Sequence, residues 1–244
     1  MNITNIPKFI VNLERRPDRL EHIKTEMEYI GWDYEIFKAV DLNNHGGCTL
    51  SHVEILKIAK ERGYKSVMVI EDDCTFLPYS KDLINKIETE TGDFEFGIIN
   101  FAPTLNRPVN RSEELPLFLD ITNLPPKKEH ERGIFATNMI LYHESIYDKV
   151  IEMEKPEILG YYAIDDYIYQ FILPIKQSYA PILPIAPQMS SWSDVSQGQY
   201  NNFYTQTYNW NGYSPCKIPS EYLNGTLTQD LKNNKEHNQF TYVS

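Results

Sequence analysis

Val67-Met68-Val69-Ile70-Glu71-Asp72-Asp73 sets four apolar residues directly before three carboxylates. A run that is apolar on both faces is what a central strand needs in a sheet covered on both sides. The acids then fall at its carboxyl end. Working outward, Lys8 to Leu13 is a second short apolar run after Pro7, and a further strand is expected over Tyr34 to Val40. Between them Leu20, Ile23, Met27 and Ile30 recur at helical spacing, with Gly31 placed to end the helix. Ser51 to Glu54 has the form of a capping box, which predicts a helix opening at Ser51 and stopping near Gly63. A helix around Leu83, Ile84 and Ile87 leads to a strand over Phe96 to Phe101. Strands alternating with helices predict an α/β fold with a mostly parallel central sheet flanked by helices. Ligands of such sheets lie beyond the carboxyl ends of the strands, which points to Asn12–Arg19 and Glu71–Asp73.

The rest of the chain is less regular. Residues 102–132 are rich in Pro, Asn and charge and read as a long loop or lid. A strand is expected within Gly133 to Tyr142, then a helix from Glu144 to about Met153 and regular structure over Tyr161 to Phe171. Beyond Pro174 the prolines at 181, 184 and 187 break any long element, and from Ser190 onward Asn, Gln, Tyr and Ser dominate. This change of character divides the chain into a domain over 1–198 and an extension over 199–244, packed on that domain or trailing from it.

Lys and Arg number 23 against 34 Asp and Glu, so the formal charge is 23 − 34 = −11. Nucleic acid and anionic lipid both need clustered cations, so neither is expected as a partner. No stretch approaches the ~18 consecutive apolar residues of a membrane span. The start of the chain lacks the cationic and apolar pattern of a signal peptide. Three cysteines far apart fit a reducing compartment better than a disulfide framework. The expectation is an acidic cytoplasmic protein; peripheral attachment to a membrane, or a viral setting in host cytoplasm or virion, stays open.

Three adjacent carboxylates after a buried strand repel one another unless a cation or hydrogen-bond donors compensate them. In extended backbone Glu71 and Asp73 share a face and Asp72 points away. Oxygen ligands of this kind suit Mg²⁺ or Mn²⁺. The bland alternative is a solvated acidic turn. Asn12, Leu13, Arg15, Arg16 and Arg19 surround a strand end and a helix start, where guanidinium groups and free amides favour phosphate. Solvated arginines at a charged helix start are the competing reading. Gly46-Gly47-Cys48 before Ser51 and His52 offers close backbone approach to a ligand, or merely a turn and a cap. Asp165 and Asp166, flanked by tyrosines, could supply the general base that deprotonates an acceptor hydroxyl; Asp165 would equally serve as a helix cap. Zinc-finger spacing, a phosphate loop and a nucleophile elbow are all missing from the sequence.

In order and spacing, Phe9-Ile10-Val11-Asn12-Leu13 with Arg15-Arg16-Pro17-Asp18-Arg19, Gly47-Cys48-Thr49-Leu50-Ser51-His52 and Val69-Ile70-Glu71-Asp72-Asp73 resemble glycosyltransferase family 25, the lipopolysaccharide and collagen-type galactosyltransferases. Further on, Asp165-Asp166-Tyr167-Ile168, Gln188 and Ser193-Asp194-Val195 are similar to later segments of that family, so the resemblance runs over roughly residues 7–198. Asn44-His45-Gly46-Gly47-Cys48 departs from it in lacking a glutamate. The resemblance implies a single Rossmann-like domain of the GT-A type, a UDP-sugar donor, Mn²⁺ (or Mg²⁺) and inversion at the anomeric carbon. By position it gives Glu71 and Asp73 to the metal. Asn12, Leu13, Arg15, Arg16, Arg19, Ser51, His52 and Asp72 go to the donor, Asp72 standing between metal and ribose; Asp165 and Asp166 go to catalysis, Asp165 as metal support or base, with Asp194 a further choice of base.

The expectation is therefore an inverting, metal-assisted transfer of a hexose, galactose first, to a saccharide or hydroxylysine-like acceptor. The rival is an inactive UDP-sugar- or carbohydrate-binding module of the same fold. A metal-dependent phosphoesterase is a third reading, opposed by the lack of a histidine cluster near the acids. Arginine pairing of the three acids would count against the metal.

Overall fold

A computed structural model describes residues 1–42, 44–122, 136–193, 198–200 and 202–220. Seven strands form one sheet: β1 (Lys8–Asn12), β2 (Glu35–Lys38), β3 (Ser66–Glu71), β4 (Ile98–Asn100), β5 (Phe118–Asp120), β6 (Met139–His143) and β7 (Ser178–Pro181). Their spatial order is β2-β1-β3-β6-β4-β7-β5. The pairs β1–β2, β1–β3 and β4–β7 run parallel, whereas β6 and β5 are antiparallel to their neighbours. The α/β architecture is as expected. The parallel character holds for the β1–β2–β3 half; β6 makes the sheet mixed by inserting backwards between β3 and β4.

β3 is central, and Val67, Met68, Val69 and Ile70 are fully buried. Each such side chain contributes roughly 1.5–3 kcal/mol of burial free energy, so the strand leading to the acids is rigidly seated. Helix α1 (Pro17–Ile30) starts with proline at its first position and buries Ile23, Met27 and Ile30. It ends where Gly31, at φ 80°, turns its N–H to Met27 O, the left-handed cap that glycine makes without strain. Helix α3 (Ser80–Glu90) packs Leu83, Ile84 and Ile87.

Helix α2 differs from the sequence reading. It spans His45–Glu61, and Asn44 is its N-cap, with Oδ1 accepting from Gly46 N at 2.8 Å. The Ser51 capping box does not form, because the helix has already run through two turns there. Ser51 Oγ instead donates to Gly47 O at 2.8 Å and accepts from Val40 N at 2.9 Å. The serine thus ties the helix to the chain leaving β2. Gly46 and Gly47 lie in the first turn of the helix, Gly46 against the side chains of Asn44, Leu42 and Leu159 and Gly47 against the backbone of Val40 and Leu42.

A β-carbon on Gly47 would sit 2.5 Å from Val40 O and 3.2 Å from Leu42 N. Backbone cannot swing aside as a side-chain tip can. Gly47→Ala should therefore cost on the order of 1–3 kcal/mol, read as a lowered urea midpoint; an unchanged midpoint would show that this junction gives freely.

Three stretches read as irregular carry structure, and one read as a single helix is broken. β5 lies inside the expected loop of residues 102–132, bridged to Arg111 through Leu119. The expected helix after β6 is instead broken: a 3-10 turn (Glu144–Ile146), α4 (Tyr147–Ile151) and a second 3-10 turn (Glu152–Glu154), followed by α5 (Pro156–Leu159). A short hairpin pairs β8 (Ser191–Ser193) with β9 (Gly198–Tyr200). In the extension, α7 (Asn202–Tyr213) buries Phe203, Gln206, Thr207 and Trp210.

Candidate functional site

β1 and β3 are parallel neighbours, so their carboxyl ends lie side by side, with Val11 opposite Glu71. β6 enters the sheet from the same end, with Met139 opposite Ile70. Thr137 and Asn138 therefore flank the acids from a part of the chain more than sixty residues away. α6 (Ile164–Tyr167) brings Asp165 to the same place: its Oδ1 accepts from Asp166 N at 2.9 Å and its Oδ2 faces Ala136 N at 3.5 Å. The cap of α6 is Ala163, and Asp165 stands inside the first turn. Ala136 is held at φ 70°, a strained value for a residue with a β-carbon, and strain of this kind concentrates at functional sites.

The extended geometry expected for the acids stops one residue early. β3 ends at Glu71, and Cys74 N donates back to Glu71 O at 3.2 Å, so Asp72 and Asp73 belong to a turn. Glu71 and Asp73 consequently do not share a face by strand alternation. Asp72 and Asp73 instead share Arg19, whose Nη1 lies 3.1 Å from an oxygen of each. Asp72 also accepts from Asn12 Nδ2 at 2.6 Å, and Asp73 from Gln188 Nε2 at 3.4 Å. Glu71 turns the other way and accepts from Thr137 Oγ1 at 3.1 Å.

The arginine pairing that would count against a metal is therefore present at two of the three acids. One guanidinium does not balance the site, however. Burial pushes the Asp73 carboxyl up, and Glu71 and Asp72 raise it further against the pull of Arg19, to about 7. Asp72 is raised by burial despite Arg19 and Asn12. Burial and the Asp166 charge raise Asp165, and Glu71 adds to this. Glu71 is lowered: burial opposes its ionisation, but His52, Thr137 and Arg19 together outweigh it. Three carboxyl groups thus draw on the one Arg19 charge and a few donors, with Asp165 adding a fourth negative group beside Glu71. Carboxylate oxygens of this kind suit a hard divalent cation, but the turn sends Glu71 toward Thr137 and Asp73 toward Arg19 and Gln188 and does not bring the two onto one face.

The other expected donor residues divide. Asn12 braces Asp72 and also donates to Arg16 O at 3.1 Å; Leu13 O accepts from Arg16 N at 2.8 Å. Arg16 pairs with Asp18 at 2.8 Å, and that hydrogen bond, more than the charge, holds Asp18 down to about 2. Arg15 pairs with Asp41. These arginines stand near the end of β1, each paired with a carboxylate. Ser51 and His52 are fully buried within α2, which keeps both off any donor-facing surface. His52 nevertheless has a place: its Nε2 lies 3.7 Å from Glu71 Oε1, too long for a hydrogen bond. Sequence reasoning also missed Thr137 and Asn138; no local motif marks them. The Ser193–Val195 segment and its Asp194 fall at or beyond the edge of the described residues. Tyr161, expected to flank an acceptor, is 80% exposed. A surface hollow lined by Lys60, Gly63, Tyr64, Glu144, Tyr147 and Asp148 lies at the opposite, amino end of β3 and has no part in this site. No described helix is long and apolar enough to cross a membrane.

Residues 5–46 match the sequence model of glycosyltransferase family 25 (LPS biosynthesis protein). This covers β1, α1 and β2 and stops before the acidic turn. A glycosyltransferase 25 family member of Aedes aegypti is 28% identical over 36% of this chain and 19% of its own length. A second, from Drosophila pseudoobscura pseudoobscura, is 29% identical over 38% of this chain and 20% of its own. The chain thus spans about a fifth of the length of the curated relatives it matches. Among solved structures, a glycosyltransferase involved in the glycosylation of the major capsid of PBCV-1 superposes with a TM-score of 0.51, at 11% identity, over 79% of this chain and 96% of that one. That likeness is one of fold, and the fold is the GT-A-like α/β architecture. These matches support assignment to the family over the part they cover.

Proposed function

We propose, from an assignment to glycosyltransferase family 25 supported by the match over residues 5–46, that this chain transfers a hexose from a UDP-sugar to a saccharide or hydroxylated acceptor. The observation that carries the reading is the convergence of Glu71, Asp72, Asp73 and Asp165 on the carboxyl ends of β1 and β3, with Arg19 and Arg16 beside them. Carboxylates and guanidinium groups at one end of the sheet support a reading in which a diphosphate binds there with a divalent counter-ion.

Glu71 and Asp73 would hold Mn²⁺ or Mg²⁺, which when bound offsets the charge that gathers on the departing diphosphate. Arg19 sits between the acids and the start of α1, where its guanidinium can turn from carboxylate to phosphate oxygens. Asn12 fixes Asp72, so that the turn keeps its shape while Arg19 moves. Asp165 is our choice for the base: burial and Asp166 raise its pKa toward the working range, where a carboxylate accepts an acceptor's hydroxyl proton efficiently. Asp166 and Asp194 remain the alternatives for that proton. Inversion follows if the base and the leaving diphosphate lie on opposite faces of the sugar. Galactose is the first donor to test.

The Arg19 bridge favours a second reading, in which the guanidinium alone supplies the positive charge and no metal is used. A binding module that retains UDP but transfers nothing is the non-enzymatic rival. His52 is a lone histidine beside one carboxylate, which gives the phosphoesterase reading little to stand on. One experiment separates these. The full chain is incubated with a panel of UDP-sugars, and free UDP is measured with Mn²⁺ and with chelator. Release that chelator abolishes is the expected result. Release that survives chelation moves the charge to Arg19, and thermal stabilisation by UDP with no release for any donor and acceptor leaves only binding.

A further inference from the structure

Behind the acidic turn, Cys48 and His52 stand one turn apart on the same face of α2 and both point at Glu71. Cys48 Sγ is 3.8 Å from Glu71 Oε1, His52 Nε2 is 3.7 Å from it, and the three ligand atoms all lie within 4.8 Å of one another. His52 is fully buried, and its Nε2 has no hydrogen-bond partner among the described residues. A buried polar nitrogen left unmatched costs on the order of 1–3 kcal/mol unless something fills the gap. Its other nitrogen is engaged: Nδ1 lies 2.8 Å from Tyr142 Oη on β6. With the proton on Nδ1, donated to Tyr142, the Nε2 lone pair faces Cys48 and Glu71. That is the arrangement of a metal-binding histidine, whose outer nitrogen is fixed by a second hydrogen bond.

We propose that Cys48, His52 and Glu71 form a binding site for a thiophilic divalent cation of the zinc class. Tetrahedral zinc with Zn–S near 2.3 Å and Zn–N or Zn–O near 2.0–2.1 Å sets ligand atoms about 3.3–3.6 Å apart. The sulfur–oxygen and nitrogen–oxygen separations need to shrink by only a few tenths of an ångström to meet that; the sulfur–nitrogen separation, within 4.8 Å, closes further by rotation of the Cys48 side chain. Charge balances as well. Binding releases the Cys48 thiol proton to solvent, and thiolate, carboxylate and neutral imidazole neutralise the cation. Glu71 opens the site to the surface, its side chain being 21% exposed, so the fourth position is left for water. The donor set sorts ions by softness: sulfur and imidazole select zinc-like cations, and the oxygens of Asp72 and Asp73 do not. Because Glu71 belongs to both, zinc would withdraw it from the diphosphate site and inhibit transfer. That consequence rests on the transferase reading; the binding does not.

The test uses Co²⁺ as a spectroscopic probe of the full chain, followed by displacement with Zn²⁺. The wild type should develop a near-ultraviolet thiolate-to-cobalt band that about one equivalent of Zn²⁺ removes. Cys48→Ser should lose the band and bind Zn²⁺ more than about 100-fold more weakly, since loss of a direct ligand exceeds the roughly 10–100-fold effect of an outer one. Tyr142→Phe should keep the band while weakening affinity by about 10–100-fold. A folded wild type that gives no thiolate band overturns the site, whatever the variants do. So does a band of full intensity in Cys48→Ser, which would assign it to Cys74 or Cys216. Transfer that fails while the band forms would refute the enzymatic reading and leave this site standing.

Discussion

Asp73→Asn should lower UDP release from the preferred donor by about 10²–10³-fold, the scale seen when one preorganised charge-stabilising group is removed. The same variant should be no less stable than the wild type. At neutral pH and above, a carboxyl held at about 7 in the fold, against 3.8 for an ordinary aspartate, favours the unfolded chain. Between pH 3.8 and about 7 the unfolded state has released a proton that the folded state still holds, so the cost grows across that window, is complete above it and disappears below the unfolded pKa. Asparagine keeps the shape, the Gln188 contact becomes neutral, and Arg19 retains Asp72. A residue whose removal relaxes the fold while destroying turnover is held in place by function. Asp72→Ala provides the contrast: Asp72 accepts from Asn12 at 2.6 Å and from Arg19 at 3.1 Å, so truncation removes both bonds from the turn and should lower the melting temperature. Mn²⁺ should raise the melting temperature of the wild type through mass action and leave that of Asp73→Asn nearly unmoved. Undiminished turnover in Asp73→Asn would remove the central acid from the mechanism.

The elements legible in the sequence are those whose signal is local and apolar. β1 and β3 are short hydrophobic runs, α1 has a clean helical stripe and Gly31 closes it, and the acids at the end of β3 follow directly. The start of α2 is not legible in the sequence, because two capping signals, Asn44 and Ser51, lie seven residues apart. Only the packing of Gly47 against Val40 decides between them. The reversal of β6 left no trace either, since strand direction is set by how the chain returns to the sheet. With β6 went Thr137 and Asn138, whose place beside Glu71 depends on that return. The pairing of Arg19 with Asp72 and Asp73 spans more than fifty residues and follows from the parallel register of β1 and β3. A helix opening at Ser51 would put His52 in its first turn; its burial behind Glu71 follows from where α2 begins. α7 carried a readable stripe, Phe203, Gln206, Thr207 and Trp210 at helical spacing, obscured because two of its four members are polar.

That stripe supports the last expected result. Trp210→Ala should cost about 3–5 kcal/mol, within the range for deleting a buried tryptophan, which for a chain of this size lowers the melting temperature by roughly 10 °C. Trp210 is fully buried, and its indole N–H donates to Ile182 O at 3.1 Å. One helical turn before it, Gln206 donates to Ala102 O at 2.6 Å and Asn138 Oδ1 at 3.0 Å and accepts from Gln188 N at 2.6 Å. Val109 N donates to Tyr213 O at 2.9 Å. Through these bonds α7 holds three separate segments: the chain leaving β4, the entry to β6, and the strap over 182–188. That strap is paired with the acidic turn, with Met189 N on Asp73 O at 2.7 Å and Thr75 N on Pro187 O at 2.9 Å. Loosening α7 should therefore reach Asp73 through Gln188, so that Gln206→Ala impairs UDP release more than its cost in stability alone would predict. The measurement is a urea titration and a turnover assay on Trp210→Ala, Gln206→Ala and a chain ending at residue 198. A 1–198 chain as stable and as active as the full one would make the extension a trailing segment with no hold on the site.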